Sequence, residues 1–319
     1  MNETYNDGLM SIRTIWQLIV LSRPEWGFIF SQVALMVALL YQLPLESLLT
    51  SSFSIFLFSL GHFSLNGYYD RQSDALNPRG LSLRNPLTNS IQIPKNHVLS
   101  WIILIWVLLI PFNLIMVLNS LSQQKLLLGL FSFSMGMLGS ILYSVPPFKL
   151  KAKPFLDILV TFFIIGIFIP VYIGLLGPST LVDLDLLFLG ILFCLVLISG
   201  IHLPTMLIDI ETDQDIGDNT TAVFLGRRRA TYLTAGVVLT RVVLLISLNL
   251  TLMNNGVLIP HITPFILGLL EIIAVLNLLK RKDHEGASLL FKTIVITSGG
   301  GAVLFGLLYS PTLLSAYSL

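Results

Sequence analysis

Residues 48–74 read LLTSSFSIFLFSLGHFSLNGYYDRQSD. The stretch 48–65 carries no formal charge and is rich in Leu, Ile and Phe. It is close to the roughly 20 apolar residues that a helix needs to cross a bilayer. The run then turns polar at Asn66, and carboxylates follow at Asp70 and Asp74. One segment thus holds both a membrane helix and a chemically equipped end. Working outward, eight further apolar runs appear at 26–41, 98–118, 126–144, 155–176, 184–208, 230–253, 257–279 and 287–309. They predict an all-α integral membrane protein with nine transmembrane helices. Composition agrees: 55% of the 319 residues are hydrophobic and 11% are charged, against about 25% charged in ordinary soluble domains. A soluble enzyme, a disordered chain and a coiled coil are excluded. The 18 Lys+Arg against 17 Asp+Glu leave no basic surplus for a nucleic-acid partner. The lone Cys194 excludes a disulfide within the chain and a Cys-based metal site.

Charge is distributed unevenly between the runs. Arg13 and Arg23 precede the first. Arg71, Arg79, Arg84 and Lys95 follow the second, and Lys149, Lys151 and Lys153 follow the fourth. Arg227, Arg228 and Arg229 follow the sixth, and Lys280, Arg281 and Lys282 the eighth. The intervening segments contain only Lys125. The positive-inside rule places the N-terminus in the cytoplasm. The first 15 residues lack the basic n-region of a cleaved signal peptide. Residues 15–21 are too short to span. They are expected to lie along the interface before Arg23-Pro24 opens the first helix.

The acidic residues cluster on that same side. Asp209-Ile-Glu211-Thr-Asp213-Gln-Asp215-Ile-Gly217-Asp218 leaves the sixth run as Asn66 to Asp74 leaves the second. Each cluster holds an Asp-x-x-x-Asp pair, 70/74 and 209/213. On a helix this spacing stacks two carboxylates on one face, about 6 Å apart along the axis. Motifs four helices apart suggest two related four-helix halves within a single domain, 1–319. The halves cover about 20–144 and 155–280, with a ninth helix at 287–309. Stacked like charges near a bilayer repel and resist desolvation, and bridging cations relieve both costs. Oxygen donors without His or Cys suit Mg2+, Mn2+ or Ca2+. Solvated loop caps are the bland alternative. Two matched clusters in a chain so poor in charge weigh against it. Arg79, Arg84, Lys149, Lys151 and Lys153 either complete a clamp for a phosphate or mark topology alone. Pro146, Pro147 and Pro154 stiffen the loop from Tyr143 to Asp157. Asp157 complements the helix end that it opens and is placed to pair with a Lys.

These residues resemble the UbiA superfamily of intramembrane prenyltransferases. The resemblance rests on Asn66-x-x-x-Asp70-x-x-x-Asp74, on Tyr143-Ser-x-Pro-Pro-x-Lys149-Leu-Lys151, and on Asp209-x-x-x-Asp213-x-x-x-Gly217-x-x-Thr220. Arg23-Pro24 and Leu225-Gly226 fit as well. The resemblance implies nine helices around a central cavity, with both Asp-rich motifs facing the cytoplasm. It also implies Mg2+-dependent transfer from an isoprenyl diphosphate to a lipophilic acceptor. Carried over by position, Asn66, Asp70, Asp74, Asp209 and Asp213 hold two Mg2+ ions. The four aspartates and Tyr143 form the catalytic set, and Arg23, Arg84, Lys149 and Lys153 contact the diphosphate. Two departures stand out. Gly67 replaces an Asp found in many members, and Asp215, where some relatives carry Lys, is joined by Asp218. The acceptor classes implied are a quinone precursor, a tetrapyrrole, an ether lipid or a carotenoid. Residues 202–226 and 153–157 resemble the carotenoid elongase branch.

Other residues remain open on the sequence alone. His62 and His202 lie one and two turns before the acidic motifs and either line the cavity or pack between helices. Arg241 and Glu271 either pair across helices or face the cavity, and Lys292 snorkels to the interface. Gly299, Gly300 and Gly301 permit close packing or a kink. A transporter or flippase for an isoprenoid phosphate or anionic lipid is the rival function. Both acidic clusters on one membrane side favour the enzyme. A CDP-alcohol phosphotransferase would need an Asp-Gly-x-x-Ala-Arg signature, which the sequence lacks.

Overall fold

The computed structural model describes residues 11–40, 43, 45–77, 85–88, 93–118, 123–175, 184–254 and 262–298. The chain is all-helical, with no strand among the described residues. α1 (Ile12–Leu21) precedes α2 (Pro24–Leu40), α3 (Leu45–Tyr69), the short α4 (Arg71–Leu76), α5 (Lys95–Leu118) and α6 (Gln123–Ser144). α7 (Leu156–Thr161) passes through a π-helical stretch, Phe162–Phe168, into α8 (Ile169–Leu175). α9 (Leu184–Asp215), α10 (Thr221–Asn254) and α11 (Ile262–Arg281) follow, and α12 is described over 284–298. The described residues of each of the nine apolar runs fall mainly on these helical stretches. Three of them, Leu45–Tyr69, Leu156–Gly174 and Thr221–Ser247, are long and apolar enough to cross a membrane. Gly299, Gly300, Gly301 and the rest of the ninth run lie outside the described residues.

The helices extend beyond the apolar runs where the site requires it. α3 continues to Tyr69, so Asn66 is helical, and α9 continues to Asp215, so Asp209 and Asp213 share one helix. Asp70 is the junction of α3 and α4. Helical hydrogen bonds run through it, from Asp70 N–H to Asn66 O (2.9 Å) and from Asp74 N–H to Asp70 O (2.7 Å). α10 is interrupted at Gly226, whose φ of +74° is open to glycine and strained for any side chain. Arg23 also has positive φ (47°), directly before Pro24, which opens α2.

Two apolar cores carry the packing. The first gathers α2, α3, α5, α6 and the α7–α8 span around Val37, Ile55, Phe58, Leu109, Phe168 and Tyr172. The second gathers α9 to α12 around Leu207, Ile208, Val238, Val275, Leu278 and Ile294. α1 buries Leu18 and Leu21 against Leu65, Val98 and Ile102, while Ile12 and Trp16 face outward. The outward faces of α5 and α11 are apolar too, with Ile103, Leu104 and Val107 on one and Leu269, Ile273 and Leu276 on the other. Helices apolar all round are those that meet lipid as well as a core.

Within the second core, Arg241 and Glu271 pair across α10 and α11, at 2% and 1% exposure. Of the two sequence readings, the interhelical pair is the one observed. Arg241 Nη2 also donates to Ser298 Oγ (2.7 Å), and Thr297 Oγ1 donates to Glu271 Oε1 (2.5 Å). A Cβ on Gly200 would stand 2.7 Å from Arg241 Cδ. The glycine therefore lets α9 close over the pair. Buried charges survive only when partnered in this way.

Candidate active site

The acidic ends of α3–α4 and α9 open into one cavity of about 660 Å3. Its polar wall includes Arg23, Asn66, Asp70, Asp74, Lys151, Asp209, Asp213 and Asp218. Its apolar wall is formed by Trp26, Phe30, Phe63, Ile164, Ile165, Met206 and Phe291. The π-helical stretch lets the consecutive Ile164 and Ile165 both face inward. His62, Tyr143 and His202 line the cavity as well. The ends of α3–α4 and α9 therefore bring together residues about 140 positions apart in sequence.

The first cluster is held by ion pairs. Arg23 Nη2 donates to Asp74 Oδ2 at 2.6 Å, and both groups are buried. Asn85, fully buried, donates from Nδ2 to Asp74 Oδ2 (2.8 Å) and to Gly67 O (2.7 Å). Lys151 pairs with Asp70 and donates to Asn66 Oδ1 at 2.8 Å, and Ser144 Oγ donates to the same oxygen at 3.1 Å. Burial pushes the Asp74 carboxyl up, and Arg23 opposes that rise. The glycine at position 67 has a steric reason. A Cβ there would stand 2.7 Å from Leu21 Cδ1, so this position packs against α1 instead of lining the cavity.

Neutral side chains reach both aspartates of the second cluster. Asn77 Nδ2 donates to Asp209 Oδ1 at 2.8 Å, tying the two clusters together, and Thr220 Oγ1 donates to Asp213 Oδ2 at 3.1 Å. Asp213 has no ion pair among the described residues. Burial first, and the neighbouring Asp209 charge second, raise its carboxyl to about 7. Asp215 is exposed, and Asp218 pairs with Lys149 at 2.6 Å.

The loop between α6 and α7 sorts the three lysines. Lys149 adopts positive φ (36°), and a single 3-10 turn over Leu150–Ala152 turns Lys151 into the cavity. Lys149 is engaged by Asp218 outside the lining, and Lys153 is exposed. Arg84 lies outside the described residues. Of the four basic residues expected at the diphosphate, the structure thus places Arg23 at the cavity, and it adds Lys151. Asp157 does not meet a Lys. It accepts from Thr221 N–H (2.6 Å) and from the Thr221 hydroxyl, and so satisfies the start of α10. Tyr143 stands with its ring 5.8 Å from Lys151 Nζ and 5.8 Å from the His62 ring. Asn77 and Asn85 were missed as site residues. Their only sequence signal is proximity to the first motif.

No three His, Cys, Asp or Glu among the described residues converge into a ready-made metal cage. The donor set nonetheless fits Mg2+, which usually binds through one or two carboxylates and completes its shell with water and substrate phosphate. Two observations support that fit. The raised Asp213 carboxyl reports burial first and the Asp209 charge second, and a bound cation would offset both. Arg23 Nε is buried without a hydrogen-bond partner among the described residues, leaving a donor for an anion.

Comparison with known proteins follows the same lines. The model of the UbiA prenyltransferase family matches residues 27–312. A UbiA homologue from Archaeoglobus fulgidus bound to GPP and Mg2+ has a TM-score of 0.58 at 18% identity, over 90% of this chain and 99% of that one. An apo UbiA homologue from Aeropyrum pernix K1 gives 0.60 at 14%, over 89% and 98%. A structure of digeranylgeranylglyceryl phosphate synthase gives 0.59 at 18%, over 92% and 98%. No curated protein matches the chain. At such identities the solved structures attest the fold, while the family model covers most of the sequence. The chain belongs to the UbiA prenyltransferase family and is an enzyme that transfers prenyl groups.

Proposed function

We propose that this prenyltransferase is Mg2+-dependent and moves an isoprenyl group from an isoprenyl diphosphate to a lipophilic acceptor, releasing diphosphate. The observation that carries the proposal is the single cavity: two acidic clusters and two cations on one wall, aromatic and aliphatic side chains on the other. Asn66, Asp70 and Asp74 from one half, and Asp209 and Asp213 from the other, would hold the ions, two in number. When bound, they supply Lewis acidity that neutralises charge on the leaving diphosphate.

The chain's own residues do the rest. Arg23 and Lys151 lend positive charge to the diphosphate end, Arg23 through its unpartnered Nε. Arg84, Lys149 and Lys153 join from the surrounding loops, Lys149 while holding Asp218. Trp26, Phe30, Phe63 and Phe291 exclude water, which would quench an allylic cation, and their faces stabilise positive charge. Tyr143 lines the reacting end beside Lys151. The GPP- and Mg2+-bound Archaeoglobus fulgidus homologue supports the donor and the metal.

The proposal extends to topology: nine crossings in one domain, made of two four-helix halves and a last helix, with the N-terminus and the active site on the cytoplasmic side. The alternation of Lys and Arg between runs and the apolar outer faces of α5 and α11 support it. To test the function, membranes containing the chain are supplied with labelled C10 to C20 prenyl diphosphates and a panel of acceptors. Diphosphate release coupled to a prenylated lipid is expected. Movement of an intact isoprenoid phosphate across the bilayer, without release of diphosphate, would establish the transporter instead.

A further inference from the structure

His284, Ser288 and Lys292 stand four residues apart on α12, and all three line the cavity. That spacing sets them on one helix face. The strip runs roughly 12 Å along the axis. Lys292 is exposed on the cavity and has no ion-pair or hydrogen-bond partner among the described residues. His284 Nε2 is buried and equally without a partner. The sequence expectation for Lys292 was an ammonium reaching out to the interface. The structure puts it on the cavity wall, exposed and free to meet an anionic group there.

The diphosphate end does not need this cation. Arg23 and Lys151 already stand there, paired with Asp74 and Asp70. Beside the strip, Phe291 packs against Trp26 with centroids 6.4 Å apart, and Trp26 against Phe63 at 6.3 Å. The strip thus offers an ammonium, a hydroxyl and an imidazole next to an aromatic surface. This combination suits an amphipathic molecule: apolar body on the rings, anionic head on Lys292.

We propose that His284, Ser288 and Lys292 recognise the acidic head, carboxylate or phosphate, of the lipophilic acceptor, and so make the enzyme select acidic acceptors over neutral ones. The inference rests on the transferase reading, and it deepens that reading by naming the acceptor's chemistry. A neutral carotenoid would leave the strip unanswered.

The test is binding without turnover. Phytanic acid, phytanyl phosphate and methyl phytanate are titrated calorimetrically into the full chain in phosphatidylcholine nanodiscs. The acid and the phosphate are expected to bind about tenfold tighter than the ester, the difference expected of one charge-assisted hydrogen bond. Lys292→Gln should abolish that preference, and Lys292→Arg should restore it. In turnover assays Lys292→Gln should raise the acceptor KM while the donor KM holds. Equal binding of acid and ester by the wild type overturns the proposal, as does a rise in donor KM in place of acceptor KM. Loss of the preference in nanodiscs made with phosphatidylglycerol overturns it as well, by making the strip a bilayer-lipid site. Wild-type protein that releases no diphosphate from any donor overturns the proposed function itself, whatever the binding preference.

Discussion

The two acidic clusters share an Asp-x-x-x-Asp spacing and one cavity, yet Asp74 and Asp213, the second aspartate of each pair, are held differently. On α3–α4, Asp74 is buried against Arg23 and Asp70 is paired with Lys151. On α9, Asp209 accepts from the Asn77 amide and Asp213 from the Thr220 hydroxyl. Asp74 is therefore part of the framework, and its removal strands the buried Arg23. In the second cluster, Asp213 has no ion pair among the described residues, and burial first and the Asp209 charge second raise its carboxyl. Identical spacing in sequence need not mean identical electrostatic duty. Asp70 and Asp74 are ion-paired, and Asp213 has no ion pair among the described residues.

Several substitutions break or sharpen this contrast. Asp70→Ala or Asp209→Ala should each cut turnover by about 10²–10³-fold, the scale of losing one electrostatic contact to a developing charge. Membrane levels of both variants, read by immunoblot, should hold. Asp74→Ala should destabilise the fold by about 3–5 kcal/mol, because Arg23 is left buried and unpaired. Asp213→Asn should leave stability unchanged or raised. Unfolding in detergent measures both, and equal losses would erase the distinction between the clusters.

Asp157→Ala should cost less, about 1–3 kcal/mol, through the unmet Thr221 N–H at the start of α10. A further effect is on pH. Between the ordinary carboxylate value of 3.8 and about 7, folded Asp213 keeps a proton that the unfolded chain has lost. Its contribution is fully present below 3.8 and is lost as pH rises toward 7. Urea midpoints of the metal-free protein should show this slope, and Asp213→Asn should flatten it.

The greasy runs were legible because length and hydropathy are local properties. The described residues of each fall mainly on helices, and the family expected from three motifs matches nearly the whole chain. What was not legible depends on facing. α3 and α9 continue past their apolar runs into polar turns that hydropathy cannot see. The choice of Lys151 over its neighbours rests on positive φ at Lys149 and Phe155, neither of which is glycine. Asn85 and Asn77 reach the site only through tertiary packing. Arg241, Glu271 and Lys292 sit on helices apolar all round, whose sequence does not say which face turns inward. The pair turned into the second core, and the lysine into the cavity.

The central claim is that both clusters, through Mg2+, act together on one prenyl diphosphate. Its most direct measurement is diphosphate release from a labelled prenyl diphosphate by membranes of the wild type, Asp70→Ala and Asp209→Ala, with Mg2+ and with excess chelator. The account predicts release by the wild type in Mg2+, abolished by chelator and cut about 10²–10³-fold by either substitution. Undiminished release in chelator, or in either variant, would contradict it.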